Sequence, residues 1–599
     1  MHAAESSAVR PAVWLAIALA VAAVWAKEPF PTAARSSPSA GDKRTASSAE
    51  TAAQQPVLPR PVPADSQKLP AGFGQAAPAS IADLRGIEQH VRALAARVSP
   101  AVVAVEVGTG SGSGVIVLTN GLVLTAGHVC GRAGRSVQFT FHDGRTARGK
   151  TLGVSPDNDT GLMQITDRGR WPHVEMGDLT QARVGDWVLA LGHPGGFDLR
   201  RSLVVRLGRI IRLDSSGLQT DCTISPGDSG GPLLDMHGRV IGIHHAISSS
   251  LAENFHVAVS AFYDDWDSSD PVSNLGLPKA ATLATLPRLR FRSGESTLQA
   301  LQAVSVATRA SIVKLNVNGE TVALGTVMDA DGLALTKASE LKPGKLTCWL
   351  ATDKEVSAEV IGVDEEEDLA LVQVQTRDLK PIRWTEGRSA IGQWAVTPGI
   401  APTPQAVGII SAMPRRIRYP RAFIGIRFDY NTSNPLIEEI LPGLGAEQAG
   451  LKAGDLILAV NALGVTNREQ VVEALRDLRE GQMVKLRVRR SETQFTAEVR
   501  LMVPRNGELG GAPPSPQRRR RLSGEVSLRA EGFEQAIEHD TVLPPWLCGG
   551  PLVNLDGRAI GLNIARASRV STYALPARLA KRVFDDLKSR SASGSLGGK

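Results

Sequence analysis

At 599 residues, with 42% hydrophobic and 21% charged side chains, the chain has room for three or four packed domains and enough apolar residues to fill them. Lysine and arginine (67) nearly balance aspartate and glutamate (60), and a net charge of +7 is too mild to indicate nucleic-acid binding. The four cysteines lack metal-ligand spacing, so neither a metal site nor a disulfide is assigned.

The chain opens with a cationic residue, Arg10, and an uncharged apolar run from Pro11 to Ala26 that ends Val-Trp-Ala before Lys27. Residues 1–26 therefore read as a signal peptide, with an uncleaved anchor as the alternative, and place the body of the protein outside the cytoplasm. Residues 27–86 are rich in Ala, Ser, Pro and Gln and are expected to form a disordered tether. A short amphipathic helix signal at Ile87–Ala96 is followed by β-branched runs, Val102–Val107, Gly114–Leu118 and Leu122–Thr125, set apart by glycine turns. Many short strands of this kind indicate an all-β barrel or sandwich.

The chain then repeats itself. Gly114 to Thr125 is echoed by Gly325 to Thr336, Asp159 to Ile165 by Asp368 to Val374, and Val184 to Ala190 by Ile391 to Thr397. Gly208-Arg-Ile-Ile211 has its match in Gly408-Ile-Ile410, and Ser229-Gly-Gly-Pro-Leu in Cys548-Gly-Gly-Pro-Leu. Conserved order and near-constant spacing imply two copies of one fold, the second opened between Ile410 and Cys548 by an insert of about 120 residues.

In the first repeat, Gly227-Asp228-Ser229-Gly230-Gly231-Pro232 sets a serine on a tight glycine turn, and Leu-Thr-Ala-Gly-His128 supplies an imidazole about a hundred residues upstream. Acyl transfer needs a base to take the hydroxyl proton, a carboxylate to orient that base, and amides to stabilise the oxyanion. His128, Asp159 and Ser229 fill the first roles, and the amides of Gly227 and Ser229 form the oxyanion hole. His128 alone would read as a structural histidine and Asp159 as a turn residue; the order His, Asp, Ser and the glycine loop shift the balance.

With Gly-Ser-Gly-Ser-Gly114, Leu-Gly-His-Pro-Gly195 and Ser-Pro-Gly-Asp-Ser229-Gly-Gly-Pro added, the first repeat resembles a trypsin-like serine protease of the HtrA/Deg family over about Ala101 to Phe262. Asp228 departs from the asparagine usual in that family. The resemblance implies a mostly β chain: two trypsin-like double β-barrel domains, the second interrupted by an inserted α+β PDZ domain. The PDZ resemblance rests on Phe423-Ile-Gly-Ile426, Ala449 to Asn461 and a helical stretch at Asn467–Leu478.

The expected layout is a protease domain at 87–268, a linker at 269–296, a degenerate protease-like domain at 297–419 and 524–588, the PDZ domain at 420–503, a linker at 504–523, and a disordered tail at 589–599. By position, Thr223 forms a neutral floor to the primary pocket and disfavours Lys or Arg side chains. The strand with His244, His245 and Ala246 would pair with substrate backbone. Phe423, Ile424, Gly425 and Ile426 would receive a peptide C-terminus. Ser339 and Cys548 replace the base and nucleophile in the second repeat, which is expected to be inactive. The expected partners are unfolded proteins or peptides, with no cofactor, no metal and no nucleic acid. The resemblance also implies a homotrimer, although no residue here is assigned to such a contact. The function expected is that of an exported endopeptidase of misfolded envelope proteins, in the periplasm, cell envelope or medium; a holdase with an unassembled site is the rival.

Overall fold

A computed structural model describes residues 57–592, apart from 63–67, 109, 199–200, 202, 215–216, 267–284, 420–421, 430–431, 477 and 503–522. The expected signal peptide and nearly all of the return linker lie outside the described residues. Six strands, β1 (Val102–Val107), β2 (Gly110–Ile116), β3 (Leu122–Ala126), β4 (Ser136–Phe141), β5 (Thr146–Ser155) and β6 (Thr160–Ile165), close into a barrel in the order β1-β2-β3-β6-β5-β4. A second barrel uses β7 (Trp187–Gly192), β8 (Val204–Asp214), β9 (Gly217–Thr220), β10 (Pro232–Asp235), β11 (Val240–Ile247) and β12 (Asn254–Ala258), ordered β10-β11-β12-β9-β8-β7. Closure leaves no unpaired sheet edge, and the inward residues of β1 and β3 are almost all buried.

The same wiring recurs downstream. Strands β13 (Ile312–Val317), β14 (Glu320–Val327), β15 (Leu333–Lys337), β16 (Leu346–Trp349), β17 (Glu355–Asp364) and β18 (Leu369–Val374) close in the order of β1 to β6. The fourth barrel starts with β19 (Trp394–Thr397) and β20 (Ala406–Ile417). Six strands of the insert then intervene: β21 (Ile426–Phe428), β22 (Ile437–Ile440), β23 (Leu456–Val460), β24 (Leu463–Gly464), β25 (Met483–Arg490) and β26 (Thr493–Arg500). Strands β27 (Phe533–His539), β28 (Pro551–Val553), β29 (Ala559–Arg566) and β30 (Thr572–Pro576) complete the barrel, ordered β19-β20-β27-β30-β29-β28. The insert thus opens the barrel between the equivalents of β8 and β9, and it carries an apolar core of its own around Ile457, Val471, Leu486 and Val499.

One apolar core runs through both repeats, joining Trp187, Leu189 and Leu207 to Trp394, Val396, Val407 and Ile409. The two tryptophans, which are sequence equivalents, meet edge to face with centroids 6.5 Å apart. Helix α1 (Ile81–Val98) lies against both, burying Leu84, Ile87, Val91, Leu94 and Val98 on one stripe. Trp394 Nε1 donates to Leu84 O (2.9 Å), while His90 Nε2 lies 2.7 Å from Met236 O of the first repeat. Arg292 is wedged between the repeats: its amide donates to Asp221 (2.7 Å) and its guanidinium pairs with Asp540 at 2.5 Å. Asp221 and Asp540 are themselves equivalents, each accepting from a backbone amide in β8 or β20, at Arg209 and Ile409.

Several expected boundaries are corrected. The tether assigned to 27–86 is ordered in part: α1 begins at Ile81, where Ser80 Oγ caps the Asp83 amide at 3.2 Å. Leu58 is buried, Val62 N donates to Met176 O at 2.9 Å, and Arg239 donates to Val62 O at 2.8 Å. Isolated apolar residues and backbone groups make this docking, so composition does not reveal it. The end of the 269–296 linker is likewise packed, with Leu286 and Arg292 buried. The C-terminal helix Ala577–Ala592 runs past the expected limit of 588 and buries Ala580, Val583, Phe584 and Leu587. No described helix is long and apolar enough to cross a membrane.

Candidate active site

Asp159 sits in the turn between β5 and β6 with φ of 53°, a left-handed conformation that a short polar side chain tolerates. That turn aims its carboxylate at the single helical turn Gly127–Cys130, which follows β3. Asp159 Oδ1 accepts from the His128 amide (2.7 Å) and Oδ2 from His128 Nδ1 (2.8 Å). Oδ2 also meets His245 Nδ1 at 2.5 Å. An ionised carboxylate only accepts, so both imidazoles donate through Nδ1, and a neutral ring in this tautomer carries its lone pair on Nε2. Burial would raise the Asp159 carboxyl, but the hydrogen bonds and charges of the two imidazoles outweigh it and hold it well below the usual carboxylate range.

The Ser229 loop is held from the first barrel. Ser113 N donates to Ser229 O (2.8 Å), Ser113 Oγ donates to Gly227 O (2.8 Å), and Thr125 Oγ1 donates to Ser113 O (2.8 Å). Gly227 has φ of 95°, and a Cβ there would stand 2.6 Å from Gly195 N and from His193 O. Gly230 abuts the base loop, since its Cβ would lie 3.0 Å from Ala126 N and collide with Ser113 O. Among the described residues, the Gly227 and Ser229 amides enter no backbone hydrogen bond, which leaves them available as oxyanion donors. No described hydrogen bond joins His128 to Ser229 Oγ; unliganded sites commonly tighten this contact only when substrate binds.

Beneath the loop lies a fully buried ion pair, Arg206 Nη1 to Asp228 Oδ1 at 3.1 Å, with Asp228 Oδ2 accepting from Ser225 N at 2.8 Å. Burial pushes the Asp228 carboxyl up, and Arg206 pulls it back. The residue that departs from the family pattern thus has its own counter-ion. Neither Arg206 nor Ser113 was singled out from the sequence. The alternating Gly-Ser-Gly-Ser-Gly run was the signal for Ser113, whereas nothing in a run of β8 residues marks Arg206 as buried.

The residues expected to bind substrate separate into two groups. The β11–β12 register shifts between His244 and Ala246, so His245 is the extra residue of a bulge that turns it toward Asp159. His244 points the other way and is corrected as a substrate contact. It is fully buried, its Nδ1 is 3.0 Å from His256 Nδ1, and its backbone N and O are taken by Gly231 O and Gly230 N. Burial drives the His244 and His256 pKa values down, His256 to about 3. Thr223 is buried with an Oγ1 that has no protein partner, and Ala246 is half-buried. The facing atoms of His128, Asp159 and His245 all lie within 4.8 Å, the one described cluster that could hold a metal ion. The two hydrogen bonds account for that clustering.

The second repeat reproduces this frame around different side chains. Leu324 N donates to Cys548 O (2.9 Å) as Ser113 N does to Ser229 O, and Thr336 Oγ1 donates to Leu324 O (2.7 Å). Asp368, with φ of 59°, accepts from Ser339 N (2.8 Å) and Ser339 Oγ (2.9 Å) where Asp159 accepts from His128. Buried Lys337, equivalent to Ala126, pairs with Asp368 Oδ2 and donates to Arg529 O at 2.8 Å. Cys548 is fully buried, and burial pushes its thiol up to about 11, against the pull of Lys337. The sole histidine after His256, His539, is buried with Nδ1 2.9 Å from Thr541 Oγ1. All four cysteines are free thiols.

In the insert, among the described residues, β21 pairs only with β22 and its other edge has no strand partner. Phe423 is committed to Met502 through both its N–H and C=O, while Ile424 is buried and Gly425 has φ of 91°. The helix is Arg468–Leu475, shorter than expected. Its Val471 belongs to the insert core, which leaves partly buried Leu475 as the groove-side candidate.

The paired barrels with a Ser, His and Asp at their junction define a trypsin-like peptidase domain. The family model for the trypsin-like peptidase domain matches residues 112–243, and that for the PDZ domain matches residues 422–501. A periplasmic serine endoprotease, DegP-like, of Pseudomonas putida is 39% identical over 23% of this chain and 29% of its own length. One of the same name from Halomonas elongata is 25% identical over 65% of this chain and 78% of its own. A serine endoprotease structure from Yersinia pestis aligns with 69% of this chain and 97% of its own at 17% identity, but a TM-score of 0.27 is too low to bear on the fold. The chain spans about three tenths of the length of the first curated relatives it matches. The pairing of these two domains, with these relatives, makes the chain similar to the HtrA/Deg family.

Proposed function

We propose that the chain is an exported serine endopeptidase that cleaves misfolded or unfolded proteins of the periplasm or cell envelope. The observation that carries this reading is the His128–Asp159 hydrogen bond at 2.8 Å beside a serine loop whose Gly227 and Ser229 amides are uncommitted. Ser229 Oγ attacks the scissile carbonyl, His128 Nε2 takes its proton and returns it to the leaving amine, and Asp159 stabilises the imidazolium. The neutral Thr223 side chain favours small or medium apolar residues over Lys and Arg at the primary pocket. The open edge of β21 supports strand addition by a peptide C-terminus, with its carboxylate at the Ile424 and Gly425 amides. The second repeat, lacking an imidazole at Ser339, serves binding or regulation. The names of the relatives support a periplasmic location.

Replacing Ser229 by alanine should abolish casein hydrolysis and fluorophosphonate labelling without lowering the thermal transition. Hydrolysis retained by purified S229A would refute the assignment.

A further inference from the structure

We infer that Arg569, in the β29–β30 loop of the second repeat, is a positioning residue for the substrate pocket of the first. The inference rests on the proteolytic reading above. Arg569 is 1% exposed and extends into the six-residue loop that joins β11 to β12. There Nη1 donates to Ser248 O (3.0 Å), and Nη2 donates to Ser250 O (2.6 Å), Glu253 O (3.1 Å) and Asn254 Oδ1 (3.1 Å). A planar, permanently charged fork is suited to gathering several carbonyls at once, which a lysine cannot reproduce. The donor is itself fixed: Arg566 Nη2 donates to Arg569 O (2.7 Å), and Arg566 Nη1 donates to Thr541 O (3.2 Å).

Two routes lead from Arg569 to the site. Asn254 Oδ1, which it grips, also accepts from the amide of Ile224 (3.1 Å), the residue after Thr223, while Asn254 Nδ2 donates to Thr220 O (3.2 Å). Ser248, at the other end of the loop, directly follows β11, the strand that carries His245 onto Asp159. Three of the four contacts fall on the loop, and the fourth reaches Asn254 at the very start of β12. The joint between the repeats has separate supports in α1, Arg292 and the tryptophan pair. Removing Arg569 therefore leaves Ser250 O and Glu253 O with only the amides of Glu253 (3.0 Å) and Ser248 (3.2 Å), takes the guanidinium from Ser248 O, and slackens the Asn254–Ile224 contact while the barrels stay joined.

The test compares the full chain with Arg569→Ala and Arg569→Lys by peptide kinetics and by amide hydrogen exchange. Arg569→Ala should lower kcat/KM by about ten- to a hundredfold, chiefly through KM, as expected when a pocket is misplaced without loss of the reacting groups. Fluorophosphonate labelling of Ser229, which does not need the pocket, should fall by much less. Exchange should quicken at the Ile224 amide and across residues 248–254, and Arg569→Lys should restore part of both effects. Unchanged exchange at these amides, or a kcat/KM within twofold of the parent, overturns the inference. A parent chain that neither cleaves nor labels sinks the proteolytic reading instead, and exchange then decides the coupling on its own.

Discussion

Replacing Asp228 by asparagine puts the nucleophile loop's support to a quantitative test. Asp228 and Arg206 are both 0% exposed, with Nη1 and Oδ1 3.1 Å apart, and the Arg206 Nε and Nη2 atoms have no protein partner. Breaking a buried pair from one side costs about 3–5 kcal/mol, because the remaining charge is left without solvent or counter-ion. An asparagine oxygen still accepts from Ser225 N or Arg206 and returns about 1 kcal/mol as a neutral hydrogen bond. The net loss expected is about 2–4 kcal/mol, which for a domain of this size lowers Tm by roughly 4–16 °C. Thermal unfolding of D228N, R206M and the double variant is the assay, with casein hydrolysis measured well below the transition. The double variant should recover most of the loss, since an apolar replacement of the whole pair is close to neutral. A D228N transition within about 2 °C of the parent, or a double variant worse than the two single losses combined, would refute the reasoning.

Gly227→Ala should cut turnover by about a hundredfold or more, because a Cβ 2.6 Å from Gly195 N and His193 O displaces an oxyanion donor; full activity would falsify that role. His193, His256 and His539 are held neutral by burial, each with its pKa lowered from 6.5 to about 3. The unfolded chain therefore binds more protons below about pH 6.5, and stability falls as pH drops through that window by on the order of 2 kcal/mol per histidine between pH 7 and pH 5. A urea midpoint that stays constant between those pH values would exclude it. Cys548, fully buried with its thiol pushed up to about 11, should resist iodoacetamide in the folded protein, and Cys548→Ser should keep full activity. Rapid native alkylation accompanied by inactivation is the contrary result.

Much of the site is legible along the chain because its demands are local. Glycines at 227 and 230 occur where the backbone must take φ of 95° and 88° next to another strand, so they appear as a motif. The repeat, too, is visible without coordinates: β-barrel walls require alternating apolar runs at set spacings, and both copies keep them. The insertion point follows from the one spacing that breaks, and the structure puts it between β20 and β27.

Other features depend on partners far apart in the chain. His245 reaches Asp159 because a bulge turns one residue of β11 outward, and a bulge leaves no composition signal. Arg206 is an ordinary arginine in sequence; burial 3.1 Å from Asp228 makes it a counter-ion. Arg569 lies 315 residues from Asn254 and meets it only when the two repeats pack together. The sequence by itself determined the fold type, its duplication and the order of the reacting groups, since these rest on backbone conformation and periodicity. Tertiary structure alone decided which charges are buried, which imidazoles share a carboxylate and which side chains of one repeat reach the other, since these depend on distances that no spacing along the chain encodes.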